Sequence, residues 1–121
     1  MKKILIVDDS PSVIRVVKMA LAMEGYDITS AANAEQAEEI LKGNSFDFGI
    51  FDVNMPGKNG IELVRTVMGL PNGKDMKILI LTTESSDELK KKGREAGAKG
   101  WLIKPFNHLD LLTVLKKLGE I

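Results

Sequence analysis

Cysteine is absent from the 121-residue chain, which excludes disulfides, thiolate metal sites and thiol catalysis. Histidine occurs once, as His108, so a zinc site built mainly from imidazoles is excluded too. Neither sign of charge is in excess: 17 Lys and Arg face 17 Asp and Glu. That balance argues against binding nucleic acid or anionic lipid through bulk charge. Long apolar runs are also missing. The aliphatic stretch at residues 3–7 is too short for a signal peptide and stops at Asp8 and Asp9. No stretch approaches membrane-spanning length. These absences predict a soluble, cytoplasmic protein without membrane insertion. What remains is 44% hydrophobic content, enough for a real core, in a length that suits one domain over residues 1–121.

Short apolar runs alternate with longer amphipathic segments. Strands are expected at residues 3–7, 26–30, 46–51, 77–81 and 100–103. Ser10 with Pro11 behind it predicts a helix start, since the missing proline amide costs nothing there. Val13, Val16, Val17, Ala20 and Leu21 then recur at helical spacing. Asn33 with Gln36, and Ser85 with Glu88, resemble capping boxes that open the second and fourth helices. A turn-rich stretch at residues 54–60 leads to a helix around 61–68, and Asn107 caps a last helix with Leu111, Leu112, Leu115 and Leu118 on its apolar stripe. Five such β-α units imply an α/β domain with a parallel sheet between helix layers.

In open parallel sheets, ligands bind beyond the carboxyl ends of the strands. The residues placed there are Asp8 and Asp9, then Asp52, Thr82 and Lys104, all far apart in sequence. Two carboxylates about 4 Å apart repel by roughly 4 kcal/mol at an effective dielectric near 20. A third makes the site untenable unless a cation binds or a proton is taken up. A hard divalent ion with incomplete protein ligation resolves this, which suits Mg²⁺. Lys104 adds a point charge for an anionic oxygen, and Thr82 adds a hydrogen-bond donor. These are the parts required for phosphoryl transfer to an aspartate. Singly, each residue has a bland reading: a solvated acid or lysine, or a strand-ending hydroxyl bonded to backbone. Their joint arrival at one edge is what carries the argument.

Taken together, Asp8 and Asp9, the run Asp52, Val53, Asn54, Met55, Pro56 and Gly57, Thr82, and Lys104 with Pro105 and Phe106 resemble the receiver domains of bacterial two-component response regulators. The resemblance covers residues 3–118. It implies a flavodoxin-like (βα)5 doubly wound sheet of order 2-1-3-4-5. It also implies that Asp52 accepts a phosphoryl group from a phosphohistidine on a sensor histidine kinase. Asp9, Asp52 and the backbone carbonyl of Asn54 would ligate Mg²⁺ directly, with Asp8 acting largely through water. Lys104 would pair with a phosphoryl oxygen, followed by a cis bond to Pro105. Thr82 and Trp101 would form the switch, Trp101 standing where the family usually has Tyr or Phe. Asn54 and Glu84 would influence hydrolysis. Together with the run from Gly97 to Trp101 they look most like single-domain chemotaxis receivers. Such a protein is no enzyme beyond Mg²⁺-dependent self-phosphorylation and autodephosphorylation. A partner would read the fourth helix, fifth strand and fifth helix, including Lys90, Lys91 and Lys92. The resemblance names the flagellar motor switch as a candidate for that partner and a phosphatase as a further candidate, with no direct contact to nucleic acid.

Three rivals stay open. A receiver from a larger DNA-binding regulator or hybrid kinase would carry the same motifs. An aspartate-nucleophile phosphatase also uses a carboxylate and Mg²⁺, but resembles an Asp-x-Asp pattern after the first strand, whereas the nucleophile here follows the third. A flavodoxin-type electron carrier shares the architecture, yet no Ser/Thr/Gly-rich phosphate loop follows the first strand.

Overall fold

Strand and helix alternate without exception along residues 2–119, the part of the chain that the computed structural model describes. The elements are β1 (Lys3–Val7), α1 (Pro11–Ala22), β2 (Asp27–Ala31), α2 (Ala34–Leu41) and β3 (Phe48–Phe51). They continue with α3 (Gly60–Met68), β4 (Lys77–Thr82), α4 (Asp87–Ala96), β5 (Gly100–Ile103) and α5 (His108–Gly119). The five strands form one sheet in the order β2-β1-β3-β4-β5, and each neighbouring pair is parallel. Fold class, strand order and the single domain match the expectation.

The period of two along each strand divides the core into two layers. Ile4, Ile6, Phe48, Ile50, Leu79 and Leu81 face α1 and α5. Leu5, Val7, Phe51, Ile78 and Ile80 face the opposite way, against α2 and α3. Register keeps the layers coherent, with Ile4 beside Phe48 and Ile50 beside Leu79. Both faces of the central strands are therefore covered, which is why their sequences read as continuous aliphatic runs. Each such side chain removed from water contributes roughly 1.5–3 kcal/mol.

Local chemistry sets the helix starts. The Ser10 hydroxyl accepts from the Val13 amide, with Pro11 at the first helical position. Asn33 accepts from the Gln36 amide at 2.8 Å, but the Gln36 side chain reaches back to the Ala32 amide rather than to Asn33. The fourth helix corrects the expectation by one residue: its cap is Ser86, which accepts from the Leu89 amide, and not Ser85. The full reciprocal box lies instead at α3, between Asn59 and Glu62. The limits of three strands also shift, β4 running one residue further than expected, to Thr82. Residues 46 and 47 precede β3, because Phe46 is buried in the core as part of a loop whose Asp47 carboxylate accepts from the Lys3 amide. The second strand runs one residue later than expected, through Ala31.

Candidate metal and phosphoryl site

Hydrogen bonds of the sheet continue past the strand ends and fix the residues that follow. The Asp8 amide donates to the Ala31 carbonyl at 3.1 Å, the Asp52 amide to Val7 at 3.0 Å, and the Lys104 amide to Thr82 at 2.8 Å. Asp8, Asp52 and Lys104 are thus held by ladder geometry, not by flexible loops. Behind Asp52, a Cβ added to Gly60 would lie 1.9 Å from the Asp52 carbonyl oxygen, so only glycine lets α3 begin this close to the site. The peptide bond between Lys104 and Pro105 is cis.

The side chains converge as expected. Asp8, Asp9 and Asp52 each place a carboxylate oxygen within 4.8 Å of the others. Asp8 and Asp52 are buried, whereas Asp9 is exposed. The Lys104 ammonium reaches between the two buried acids, 2.8 Å from Asp8 Oδ2 and 3.1 Å from Asp52 Oδ2. The other oxygens are used as well: Asp8 Oδ1 accepts from the Ser10 amide at 2.9 Å, and Asp52 Oδ1 from the Asn54 amide at 3.2 Å. Burial pushes the Asp8 carboxyl above its ordinary value, against the opposing pull of its bond to Lys104. For Lys104, burial favours the neutral amine, but the bonds and charges of Asp8 and Asp52 outweigh it and raise the group. Lys104 therefore remains an ammonium.

Three carboxylates and one ammonium leave two negative charges at the site. An all-oxygen donor set with that residual charge fits a hard divalent cation such as Mg²⁺. The exposed Asp9 is the carboxylate open to solvent.

The remaining expected residues lie around the same edge. Thr82 is fully buried at the end of β4, and its hydroxyl accepts from the Glu84 amide at 3.4 Å. Trp101 is half-buried on β5, and its indole N–H donates to the Glu84 carbonyl at 2.8 Å. Asn54 is exposed and Glu84 half-buried, each two residues beyond a site residue. Sequence reasoning missed two supports. Lys58 ties the loop after Asp52 to Glu38 on α2 and to Thr66 on α3, both at 2.9 Å; no spacing rule signals it. Gly93 on α4 lies under the Trp101 ring, where an added Cβ would be 2.8 Å from the indole. A glycine inside a helix was the available signal, since it weakens the helix unless something needs the space.

The response regulator receiver domain family matches residues 4–116. The solved chemotaxis protein CheY4 of Vibrio cholerae is similar at 42% identity and a TM-score of 0.93, with 98% of each chain covered. The response regulator TrrA of Thermotoga maritima, solved in complex with Mg²⁺ and BeF, is similar at 36% identity and a TM-score of 0.85, over 98% of this chain and 99% of that one. The phosphate regulon transcriptional regulatory protein PhoB of Pseudomonas aeruginosa is 35% identical over 95% of this chain, which spans 50% of PhoB's length.

Proposed function

The chain belongs to the response regulator receiver family, and from that premise we propose that it carries a phosphoryl group on Asp52 in two-component signalling. The observation that carries this reading is the buried Asp52 carboxylate, bonded to Lys104 and grouped with Asp8 and Asp9. One Asp52 oxygen attacks the phosphorus of a phosphohistidine on a sensor histidine kinase. The P–N bond breaks, the imidazole leaves with its electron pair and takes a proton, and an acyl phosphate forms.

Bound Mg²⁺ would neutralise charge on the transferring oxygens. Asp9, Asp52 and the Asn54 backbone carbonyl would hold it, with Asp8 acting largely through water, as the likeness to the receiver family implies. Lys104 releases Asp52 and pairs with a phosphoryl oxygen while keeping Asp8. Thr82 exchanges its bond to the Glu84 amide for one to the phosphoryl group. Asn54 and Glu84 flank the path of the hydrolytic water. The protein is a phosphoacceptor that turns over only its own aspartyl phosphate, not an enzyme acting on other substrates.

Phosphorylation biases an inactive–active equilibrium that a downstream protein reads on α4, β5 and α5. Lys90, Arg94 and Lys99 surround Trp101 in a depression on that face, while Lys92 pairs with Glu88 at 3.3 Å. The likeness to the chemotaxis protein CheY4 supports a chemotaxis role, for which a flagellar motor target and a phosphatase partner are part of the proposal. The match to half of PhoB supports the second reading, a receiver within a transcription regulator. No described helix is long and apolar enough to cross a membrane, and a cytoplasmic site of action follows from the proposed kinase partner.

The test is intact-mass measurement after incubation with acetyl phosphate and Mg²⁺. Wild type gains one phosphoryl mass, while Asp52→Asn and wild type in EDTA do not. Equal labelling of the Asn variant would overturn the assignment.

A further inference from the structure

Residues 53–59 connect Asp52 to the start of α3, and they are tied down on both sides of Asn54. Val53 and Met55 are buried, while Asn54 between them is exposed. Gly57 makes a left-handed turn at φ 78°, so close to α2 that an added Cβ would lie 3.3 Å from Glu35 Oε1. Lys58 follows, and its ammonium donates to Glu38 Oε2 on α2 and to the Thr66 hydroxyl on α3, both at 2.9 Å. The Thr66 hydroxyl donates in turn to the Glu62 carbonyl at 3.2 Å, and the Glu62 carboxylate accepts from the Asn59 amide at 3.0 Å. The bonds of Lys58 thus lead back to its own neighbour in the chain. A partly exposed ion pair adds little to stability, and lysine usually keeps its ammonium in water. Partners on two different helices call for another account.

We propose that Lys58 is a positioning residue for the divalent cation: it holds the loop so that the Asn54 backbone carbonyl stays where it would ligate Mg²⁺. This rests on the metal reading proposed above. The ends of the loop are fixed independently, Asp52 by its ladder bond to Val7 and Gly60 by its bond to the Val53 carbonyl, both at 3.0 Å. Between them the Asn54 amide has a 3.2 Å bond to Asp52 Oδ1, and the arm after Pro56 is tied to both helices through Lys58. Freed of that tie, the loop samples arrangements that misplace the Asn54 carbonyl, and the apparent Mg²⁺ affinity falls with the competent fraction. Charge alone predicts the opposite sign. Deleting a positive charge from a protein that attracts Mg²⁺ through carboxylates would tighten binding, if it acted at all. The direction of the effect therefore separates positioning from electrostatics.

Calorimetric titration of the full chain with magnesium chloride, without a phosphodonor, tests this. Lys58→Met keeps an aliphatic stem and removes the ammonium. It is expected to weaken Mg²⁺ binding about two- to five-fold, the range that an ion pair of this exposure can supply. Glu38→Gln, which leaves the Thr66 contact in place, should weaken it by less. The double variant should bind no more weakly than Lys58→Met alone, because both changes break one tie. Unchanged binding in Lys58→Met overturns the proposal and shows that burial of Val53 and Met55 suffices to place Asn54. Tighter binding overturns it too, and reduces Lys58 to its charge. So do losses that add in the double variant. In each of these cases wild type still binds Mg²⁺ and the metal reading stands, whereas a wild type that binds none overturns both.

Discussion

Thr82 and Trp101 are joined through the backbone of one residue: the Glu84 amide donates to the Thr82 hydroxyl at 3.4 Å, and the Glu84 carbonyl accepts from the Trp101 indole at 2.8 Å. Any movement of the Thr82 hydroxyl toward Asp52 must release the Glu84 amide, and the indole bonded to the neighbouring carbonyl feels the change. Phe could not make that second bond, since it has no N–H. The larger ring is accommodated because Gly93 leaves the space a Cβ would fill.

Gly93→Ala tests that accommodation. Alanine favours a helix interior over glycine by about 0.8–1 kcal/mol, whereas overpacking costs typically about 1–3 kcal/mol. The variant is expected to lose about 1 kcal/mol net in urea denaturation. In a Trp101→Val background the clash is gone, and the same change should stabilise by up to about 1 kcal/mol. Equal effects in both backgrounds would show that the ring does not need the gap.

Glu84→Leu addresses the lifetime of the phosphorylated state. The half-buried Glu84 follows Thr82 by two residues, and an apolar side chain there would hinder an in-line water without touching Asp52. Phosphorylation by acetyl phosphate should persist, while decay slows on the order of tenfold, equivalent to about 1.4 kcal/mol in the barrier. Decay measured by mass after donor removal decides it. Unchanged decay in both Glu84→Leu and an Asn54 variant would place neither residue beside the phosphoryl group.

The fold was legible because its signals are local or periodic. Runs such as Lys3–Val7 and Lys77–Thr82 end at polar residues, and the rule that sites lie at strand carboxyl ends does the rest. Asp8, Asp9, Asp52 and Lys104 could be grouped on that rule alone, and they do converge. Contacts between distant elements were not legible. Lys58 finds Glu38 across twenty residues, and Asn72 on the loop before β4 donates to the carbonyls of Leu41 and Asn44. Nothing in either pair's spacing predicts these partners. The shift from Ser85 to Ser86 has a different cause: adjacent serines both satisfy the capping pattern, and the backbone around them decides.

Asp8→Asn should separate metal binding from folding. Burial raises the Asp8 carboxyl above its model-peptide value of 3.8, with the Lys104 bond opposing. A group that holds its proton more tightly when folded subtracts stability above both pKa values, and the loss is recovered as pH falls through the folded value. Asn keeps Oδ1 as the acceptor for the Ser10 amide, gives up the acceptor facing Lys104, whose ammonium retains Asp52, and removes the charge. In EDTA at neutral pH the variant is expected to be more stable than wild type, and the difference should close on acidification. Added Mg²⁺ should stabilise wild type more than the variant, by mass action on the folded state. Urea midpoints in the two media check both signs, and a variant less stable in EDTA would show that pairing with Lys104 outweighs burial.

Trp101 is the only tryptophan of the chain, so emission reports one position. The residue after Asp52 is Val53, and no indole adjoins the carboxylate cluster. Mg²⁺ alone should therefore change emission little, because it acts on Asp8, Asp9 and Asp52 and leaves the Glu84 peptide in place. Beryllofluoride with Mg²⁺ mimics the phosphoryl group, and Thr82 can reach it only by giving up the Glu84 amide. The indole then loses or re-forms its bond to the Glu84 carbonyl and repacks away from water, and emission should shift clearly. The competing possibility is a static indole, held by Gly93 and by the same hydrogen bond whatever Thr82 does. Titrating Mg²⁺ first and beryllofluoride second distinguishes the two. An unchanged spectrum at the second step, with beryllofluoride binding verified by mass or calorimetry, would establish that Trp101 packs without switching.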